Sequence, residues 1–284
     1  MTLQATQPTQ IQNQCYDEER ALYGSKQICI ESCRFEGPAD GESALKECRD
    51  VTIRHSRFDL RYPIWHCDRV LVESSEMTSL CRAPLWYCED VRLVECRIDG
   101  VKALRECRRA SIEDCTVRST ELGWSTTDLE IRRSTVEGEY LFLRAEGIKA
   151  EQLSLKGKYS LQYVQNATFT DCTLDTKDAF WHAKGITLIN CTLKGEYLAW
   201  YAEDITLINC RIIGTQPFCY CKGLRLIDCE MHEADFCFER SEVEATVTTP
   251  VISIRRPRAG RVFVPAVGEI LEEDSEALGE IFVG

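Results

Sequence analysis

The sequence predicts an all-β protein, a single-stranded right-handed parallel β-helix (solenoid) of about twelve rungs. The first observation behind this prediction is a repeat whose copies start 19 residues apart, seven times in a row from Pro84 to Pro217. A fixed short period indicates one structural unit per copy, stacked on its neighbours. The second observation is that apolar residues alternate with polar ones inside each copy, which is typical of strands. The right hand is expected because parallel crossovers almost always have it.

Each copy is predicted to contain three short strands separated by turns. If the first residue of a copy is position zero, positions seven, nine and fourteen are apolar, as in Ile28, Ile30 and Phe35 of the copy that starts at Ala21. The predicted strands cover about positions one to four, seven to nine and twelve to fourteen. Position six should be a corner, because residues that tolerate left-handed dihedrals recur there. These residues are Asp50, Asp90, Asp128, Gly147, Asn166, Gly185, Asp204 and Gly223.

The repeat register continues from Ala21 to about Thr249, which predicts one domain. We expect residues 1–20 to form an N-terminal cap, residues 21–249 the β-helix, and residues 250–284 further strands followed by an acidic tail. A solenoid needs such caps because its open ends expose unpaired strand edges.

The net charge of −12 argues against nucleic acid or an anionic membrane surface as a partner, since both require basic patches. No window approaches eighteen consecutive apolar residues. The first residues, MTLQATQPTQIQNQ, have neither the basic start nor the apolar core of a signal peptide. We therefore expect a cytoplasmic protein.

The 17 cysteines fall into columns of the repeat, mainly at positions four and twelve. Serine, alanine or threonine replaces cysteine in other copies, so these positions require a small side chain at an inward corner. We expect a ladder of free thiols that packs inertly, with no metal and no cofactor. The Cys219-Tyr-Cys221 pair has no nearby histidine that would complete a zinc site.

All five tryptophans occupy position two, where an outward orientation is expected because position one is apolar. Tyrosine and histidine are frequent at position three, and tyrosine directly precedes four of the copies, at Tyr62, Tyr140, Tyr159 and Tyr197. An exposed aromatic strip can bind sugars, because a ring face covers the apolar face of a pyranose. The structural alternative is that neighbouring rings, such as Trp65–Trp86 and Trp181–Trp200, only stack on each other and stabilise this face. The predicted ligand-binding residues are Trp65, Trp86, Trp124, Trp181, Trp200, Tyr140, Tyr159, Tyr197, Tyr201, Lys177 and Arg144.

Asp178 and Glu196 occupy turn positions one rung apart, beside this strip, with His182 nearby. Neighbouring rungs are roughly 5 Å apart, a separation that suits a general acid and a nucleophile or base. Asp178, Glu196 and His182 are therefore the candidate catalytic residues, and an enzyme of this kind would resemble a polysaccharide lyase or a glycoside hydrolase. The simpler alternative is two solvated charges on a turn, balanced by Lys177 or Lys194.

Four short sequence segments also resemble those of a known family. ERALYGS at 19–25, RYPIW at 61–65, GEYLAW at 195–200 and IGTQPFCYC at 213–221 resemble the uncharacterised bacterial family called domain-of-unknown-function family 3737. The resemblance covers roughly residues 15–260 and implies a pectate-lyase-like right-handed β-helix. It transfers no catalytic residue.

Two functions remain open from the sequence. The first is binding or processing of a carbohydrate on the Trp/Tyr face. The second is a non-enzymatic scaffold or interaction module, in which the aromatic face or the C-terminal segment contacts another subunit. Fold alone does not decide between them.

Overall fold

The structure, a computed structural model, describes residues 7–38, 41–272 and 275–284. Every regular element in these residues is a β-strand. The chain divides into two compact units, Met1–Glu130 and Ile131–Gly284, and the strand Thr127–Arg132 contains the boundary. Each unit is a stretch of parallel β-helix, so the predicted fold class is confirmed.

The first unit contains two long ladders of parallel strands and a short third one. The first ladder consists of Thr9–Gln12, Lys26–Glu31, Arg49–Arg54, Asp68–Glu73, Glu89–Val94 and Arg108–Glu113. The second ladder consists of Cys15–Tyr16, Arg34–Phe35, Arg57–Phe58, Glu76–Met77, Arg97–Ile98 and Thr116–Arg118. The third consists of Leu45–Lys46, Ile64–Trp65 and Leu85–Trp86. Equivalent repeat positions pair directly, as Ile28 does with Val51.

The second unit repeats the two long ladders. Its first ladder consists of Glu146–Glu151, Gln165–Thr170, Lys184–Ile189, Glu203–Ile208, Leu224–His232, Glu242–Val247, Ala259–Val264 and Glu280–Val283. Its second ladder consists of Thr135–Glu139, Ser154–Lys158, Thr173–Lys177, Thr192–Lys194 and Arg211–Ile213, and continues into Leu224–His232. Val251–Arg255 and Val267–Leu271 form a separate parallel pair.

The core of each unit is built from the apolar columns that the repeat predicts. Ile30, Ile53 and Phe58 are fully buried in the first unit, and Leu207 and Phe169 are fully buried in the second. Burial alternates along the strands, since Asp68–Glu73 buries Val70 and Val72 and leaves Leu71 between them partly exposed. The period of two therefore places one apolar face of every strand inward.

The cysteine columns are buried as free thiols. Fifteen of the 17 cysteines are buried, whereas Cys15 is exposed and Cys29 is partly exposed. Within the ladder, Cys191 donates its thiol to the carbonyl oxygen of Ile189 at 3.3 Å and accepts the amide N–H of Cys172 at 3.5 Å. Burial raises the pKa of the Cys81 thiol to about 12, which keeps it protonated and unreactive.

The third side of the repeat differs from the sequence prediction. Within the described residues, strands at positions one to four occur only in the copies that start at Ala44, Pro63 and Pro84. In the second unit these positions, together with the residue before each copy, form turns in which alternate residues are left-handed, such as Tyr140, Phe142 and Arg144. The turns still bond to neighbouring rungs, because the Leu161 N–H donates to the carbonyl oxygen of Leu141 at 2.7 Å. The strand prediction was wrong there because the chain bends at every second residue while its backbone groups remain paired.

Candidate functional site

In the first unit, the position-two residues from Trp65 to Trp124 form a column of planar groups in contact with one another. The ring centres of Trp65 and Trp86 are 4.6 Å apart. The Arg105 guanidinium lies 5.2 Å from the ring centre of Trp86 and 5.3 Å from that of Trp124. The arginine therefore continues the tryptophan column by cation–π contact with both rings.

In the second unit, Trp181 and Trp200 stack with their ring centres 5.5 Å apart and their planes 5° from parallel. Both indole N–H groups donate to the backbone of the next rung. Trp181 bonds to the carbonyl oxygen of Tyr197 at 2.7 Å, and Trp200 bonds to that of Gln216 at 2.8 Å. These bonds fix the rings against the backbone and leave them half-buried.

A second aromatic column lies at position three of the second unit. Tyr163, His182, Tyr201 and Tyr220 stack in that order, with ring centres 5.0, 5.1 and 4.7 Å apart and planes within 10° of parallel. Tyr163 is 44% exposed and Tyr201 is 46% exposed. Hereafter we call these four residues the aromatic stack.

The stacking decides which parts of these rings a ligand can reach. A sugar binds an aromatic residue through its ring face. Neighbouring rungs cover those faces in the Trp181–Trp200 pair and within the aromatic stack. Tyr201 lies between His182 and Tyr220, so the part of it that is exposed is the ring edge. This geometry favours contact with another macromolecule over stacking of a sugar.

The turn that precedes each copy holds the other predicted ligand-binding residues. Tyr140 and Tyr159 stack with their ring centres 5.1 Å apart. The Lys177 ammonium lies 5.2 Å from the ring centre of Tyr197, and the Arg144 guanidinium lies 5.8 Å from that of Tyr163. The predicted cations therefore already contact aromatic rings of the same surface.

The three candidate catalytic residues lie in different surroundings. Asp178 is only 5% exposed, and burial is the main cause that raises the pKa of its carboxyl, with a smaller contribution from Glu196 that Lys177 opposes. Glu196 is half-exposed and forms an ion pair with Lys177, with Nζ 2.9 Å from Oε2. His182 lies inside the aromatic stack. Among the described residues, no hydrogen bond joins these three side chains to one another, and their acid–base role stays a prediction.

The structure reveals a concave site that the sequence analysis missed. A groove of 1140 Å³ runs along the outward face of the first ladder in the first unit. Its floor is the column at position eight, which includes Thr52, Leu71, Arg92 and Ser111 in direct register. The neighbouring column at position six forms one wall. Hereafter we call this site the groove.

The wall of the groove alternates in charge, and most of its charges are paired. Arg69 binds Asp50 with two hydrogen bonds, of 2.6 Å from Nε and 3.0 Å from Nη2. Arg109 binds Asp90 with the same two distances. Two-point contact between a guanidinium and a carboxylate fixes both groups in one orientation. The wall therefore presents polar groups that are already ordered.

These pairs also determine how the wall responds to pH. Arg69 lowers the pKa of Asp50, and Arg109 lowers the pKa of Asp90. A lowered pKa keeps a carboxylate charged to more acidic pH, so each pair is intact above the ordinary range of aspartate and is lost as pH falls through the lowered value. The wall should keep its order at neutral pH.

One pattern in the sequence could have predicted the charged wall of the groove. Position six carries Asp50, Arg69, Asp90, Arg109 and Asp128 in five consecutive copies, so opposite charges alternate down one column. The sequence analysis treated the aspartates at this position only as corner residues. Charge alternation along a column of a stacked fold indicates an ordered ion-pair ladder on one face.

Within the described ranges, no group of three or more histidine, cysteine, aspartate or glutamate side chains is placed to hold a metal ion. The part of the chain that the structure describes has no helix long and apolar enough to cross a membrane.

Solved structures similar to this chain are remote. A surface adhesin of Streptococcus pneumoniae is 9% identical, with 92% of this chain and 72% of the adhesin covered and a TM-score of 0.42. A mannuronan C-5 epimerase A-module from Azotobacter vinelandii is 9% identical over 84% of this chain and 91% of the module, with a TM-score of 0.40. The tailspike protein of the E. coli bacteriophage HK620 is 10% identical over 98% of this chain and 73% of the tailspike, with a TM-score of 0.42. Likeness at this level carries no inference about function.

The family comparison gives a direct result. No curated protein matches the chain by sequence. A family model described as "Protein of unknown function (DUF3737)" matches residues 9–280, which is nearly the whole chain. The resemblance carried by the repeat phrases is therefore confirmed, and the chain belongs to the DUF3737 family.

Proposed function

We propose that this protein binds a carbohydrate chain and that the groove of the first unit is the binding site. The observation that carries the proposal is the groove itself, a concavity of 1140 Å³ whose wall is ordered by the Arg69–Asp50 and Arg109–Asp90 pairs. Ligand sites commonly measure about 300–1,000 Å³, so this groove has room for several sugar rings.

The chemistry of the lining supports a polyhydroxylated ligand. Hydroxyl groups of a sugar both donate and accept hydrogen bonds, and the groove offers hydroxyl, carboxylate and guanidinium groups side by side. Thr52 and Ser111 lie in the floor column, and Leu71 between Thr52 and Arg92 supplies apolar surface. Groups that are fixed before binding lose little conformational entropy when the ligand arrives.

Blocking the groove tests this proposal. Ser111 points outward from the floor, so Ser111→Trp fills the groove without entering the core. We expect this variant to weaken carbohydrate binding by at least about tenfold, measured by calorimetry with a ligand found on a glycan array. Thr187→Trp is the matched control, because Thr187 occupies the same repeat position in the second unit and is not part of the groove lining.

The same assay separates the groove from the aromatic face. Trp200→Ala removes one ring of the Trp181–Trp200 pair and leaves the first unit unchanged. Loss of binding in Trp200→Ala, with normal binding in Ser111→Trp, would move the carbohydrate site to the Trp/Tyr face. No binding by the wild type to neutral, acidic and amino sugars would overturn the proposal entirely.

A second candidate function is self-association through the aromatic stack. Its support is that Tyr163 and Tyr201 are almost half exposed while their ring faces are covered, so their edges form an ordered surface of a kind common in protein contacts. We expect Tyr201→Arg to weaken a wild-type dimer by at least about tenfold, measured by sedimentation. Tyr87→Arg is the control, since Tyr87 occupies the same repeat position in the first unit and is 41% exposed. A wild-type protein that stays monomeric at high concentration would exclude this function.

A further inference from the structure

Most of the arginines that line the groove have an ion-pair partner, but one does not. Arg69 and Arg109 are bound to Asp50 and Asp90, and Arg54 binds Glu73 with Nε 2.7 Å from Oε2. Among the residues that the structure describes, Arg92 has no ion-pair or hydrogen-bond partner for its guanidinium. The floor of the groove therefore holds a cation that the protein does not neutralise.

The neighbours of Arg92 explain why its guanidinium is unpaired. Leu71 and Ser111 are its register partners on the two adjoining rungs, and neither carries a charge. Two residues before it on the same strand, Asp90 is already bound by Arg109. Two residues after it, Val94 is apolar. Asp90 is thus engaged by Arg109, and Arg92 can bind a ligand without first breaking an ion pair.

One acidic group of the lining is also unpaired within the described part of the chain. Asp128 lies at position six, two copies beyond the copy that contains Arg92. Two rungs correspond to roughly 10 Å along the ladder. A ligand anion at Arg92 is therefore far enough from Asp128 that water and salt weaken their repulsion. The groove therefore has one position, at Arg92, that suits an anion, and another, at Asp128, that does not.

We infer that the carbohydrate of the groove contains a uronic acid and that the guanidinium of Arg92 binds its carboxylate. This inference rests on the proposed function of the groove. A guanidinium presents parallel N–H donors that match the two oxygens of a carboxylate, and such charge-assisted pairs are stronger than neutral hydrogen bonds. Thr52 and Ser111 lie in the same floor column and supply hydroxyl groups for the rest of the sugar.

The test compares acidic and neutral forms of the same glycan. The probes are oligomers of galacturonic acid and of glucuronic acid, each measured beside its carboxyl-reduced form by calorimetry. The wild type should bind at least one acidic oligomer about 10- to 100-fold more tightly than its reduced form. Arg92→Gln should remove most of that difference, because it weakens binding of the acidic oligomer far more than binding of the reduced form, while Arg92→Lys should retain part of it.

Arg225→Gln is the matched control, because Arg225 is an exposed arginine at the same repeat position in the second unit. It should bind the acidic oligomers like the wild type. Equal binding of acidic and reduced oligomers by the wild type would overturn the inference, and so would an unchanged preference in Arg92→Gln. If one of these two results is obtained and Ser111→Trp still abolishes binding, the groove remains the site and only the uronic acid assignment fails. If Ser111→Trp has no effect, the proposed function fails as well.

Discussion

Replacing Gly214 with alanine is expected to destabilise the second unit by more than about 4 kcal/mol, one of the two largest effects that the structure predicts. Gly214 has a φ of +138°, and a Cβ atom placed there would lie 2.1 Å from the carbonyl oxygen of Gly195 on the rung below. A backbone oxygen cannot move aside as the end of a side chain can. Relief would require the two rungs to separate, with loss of the bonds that stack them, such as that from the Gly195 N–H to the Ile213 carbonyl oxygen at 2.9 Å.

Urea unfolding followed by circular dichroism measures this effect. Gly24→Ala is the matched control, because Gly24 also has a positive φ, of +65°, but nothing lies within 4 Å of an added Cβ atom. That variant carries only the intrinsic cost of a left-handed alanine, about 1 kcal/mol. Similar destabilisation in the two variants would show that the close approach of neighbouring rungs at Gly214 has no energetic consequence.

Truncation of Phe58 is expected to cost about 3–5 kcal/mol, because Phe58→Ala leaves a cavity in the middle of a stacked column. Phe58 is fully buried, and its ring centre lies 4.7 Å from that of Phe35, with the planes 7° from parallel. Phe35 in turn stacks on Tyr16 at 5.2 Å. Neighbouring rungs are held at a fixed spacing by their hydrogen bonds, so the column cannot collapse to fill the space.

The control for Phe58→Ala is an aromatic residue that stacks equally well but is exposed. Tyr163 lies 5.0 Å from His182 and is 44% exposed, so Tyr163→Ala should lower the free energy of unfolding by only about 1 kcal/mol. Urea unfolding compares both variants with the wild type. A loss for Phe58→Ala no greater than that for Tyr163→Ala would contradict the importance of the buried column.

The repeat allowed the fold and core to be predicted. The 19-residue period and the alternation of apolar positions placed Ile30, Phe58 and Leu207 in the interior, where the structure finds them. The exchange of cysteine with serine, alanine and threonine predicted buried free thiols, and fifteen of the 17 cysteines are buried. These predictions succeeded because a stacked fold gives every copy the same surroundings, so that each column repeats one packing requirement.

The surface was less predictable, because its properties depend on how neighbouring rungs contact each other. The tryptophans were correctly assigned to one column, and stacking of Trp181 on Trp200 was one of the alternatives, but the sequence does not decide whether the rings stack or stay open to a ligand. Asp50 and Asp90 were interpreted as corner residues, and their pairing with Arg69 and Arg109 depends on side-chain orientation across two rungs. The groove is a product of this cross-rung geometry.

The sequence by itself determined that the chain coils with a 19-residue period and which side chains point inward, because burial of apolar columns is a property of residue type and spacing. Only the tertiary structure determined which corner residues adopt left-handed backbone dihedral angles. Arg69, Leu104 and Phe142 are left-handed, a conformation that their residue types disfavour. Hydrogen bonds between rungs outweigh that local preference. The same stacking decided which charges pair and left Arg92 in the groove without a partner among the described residues.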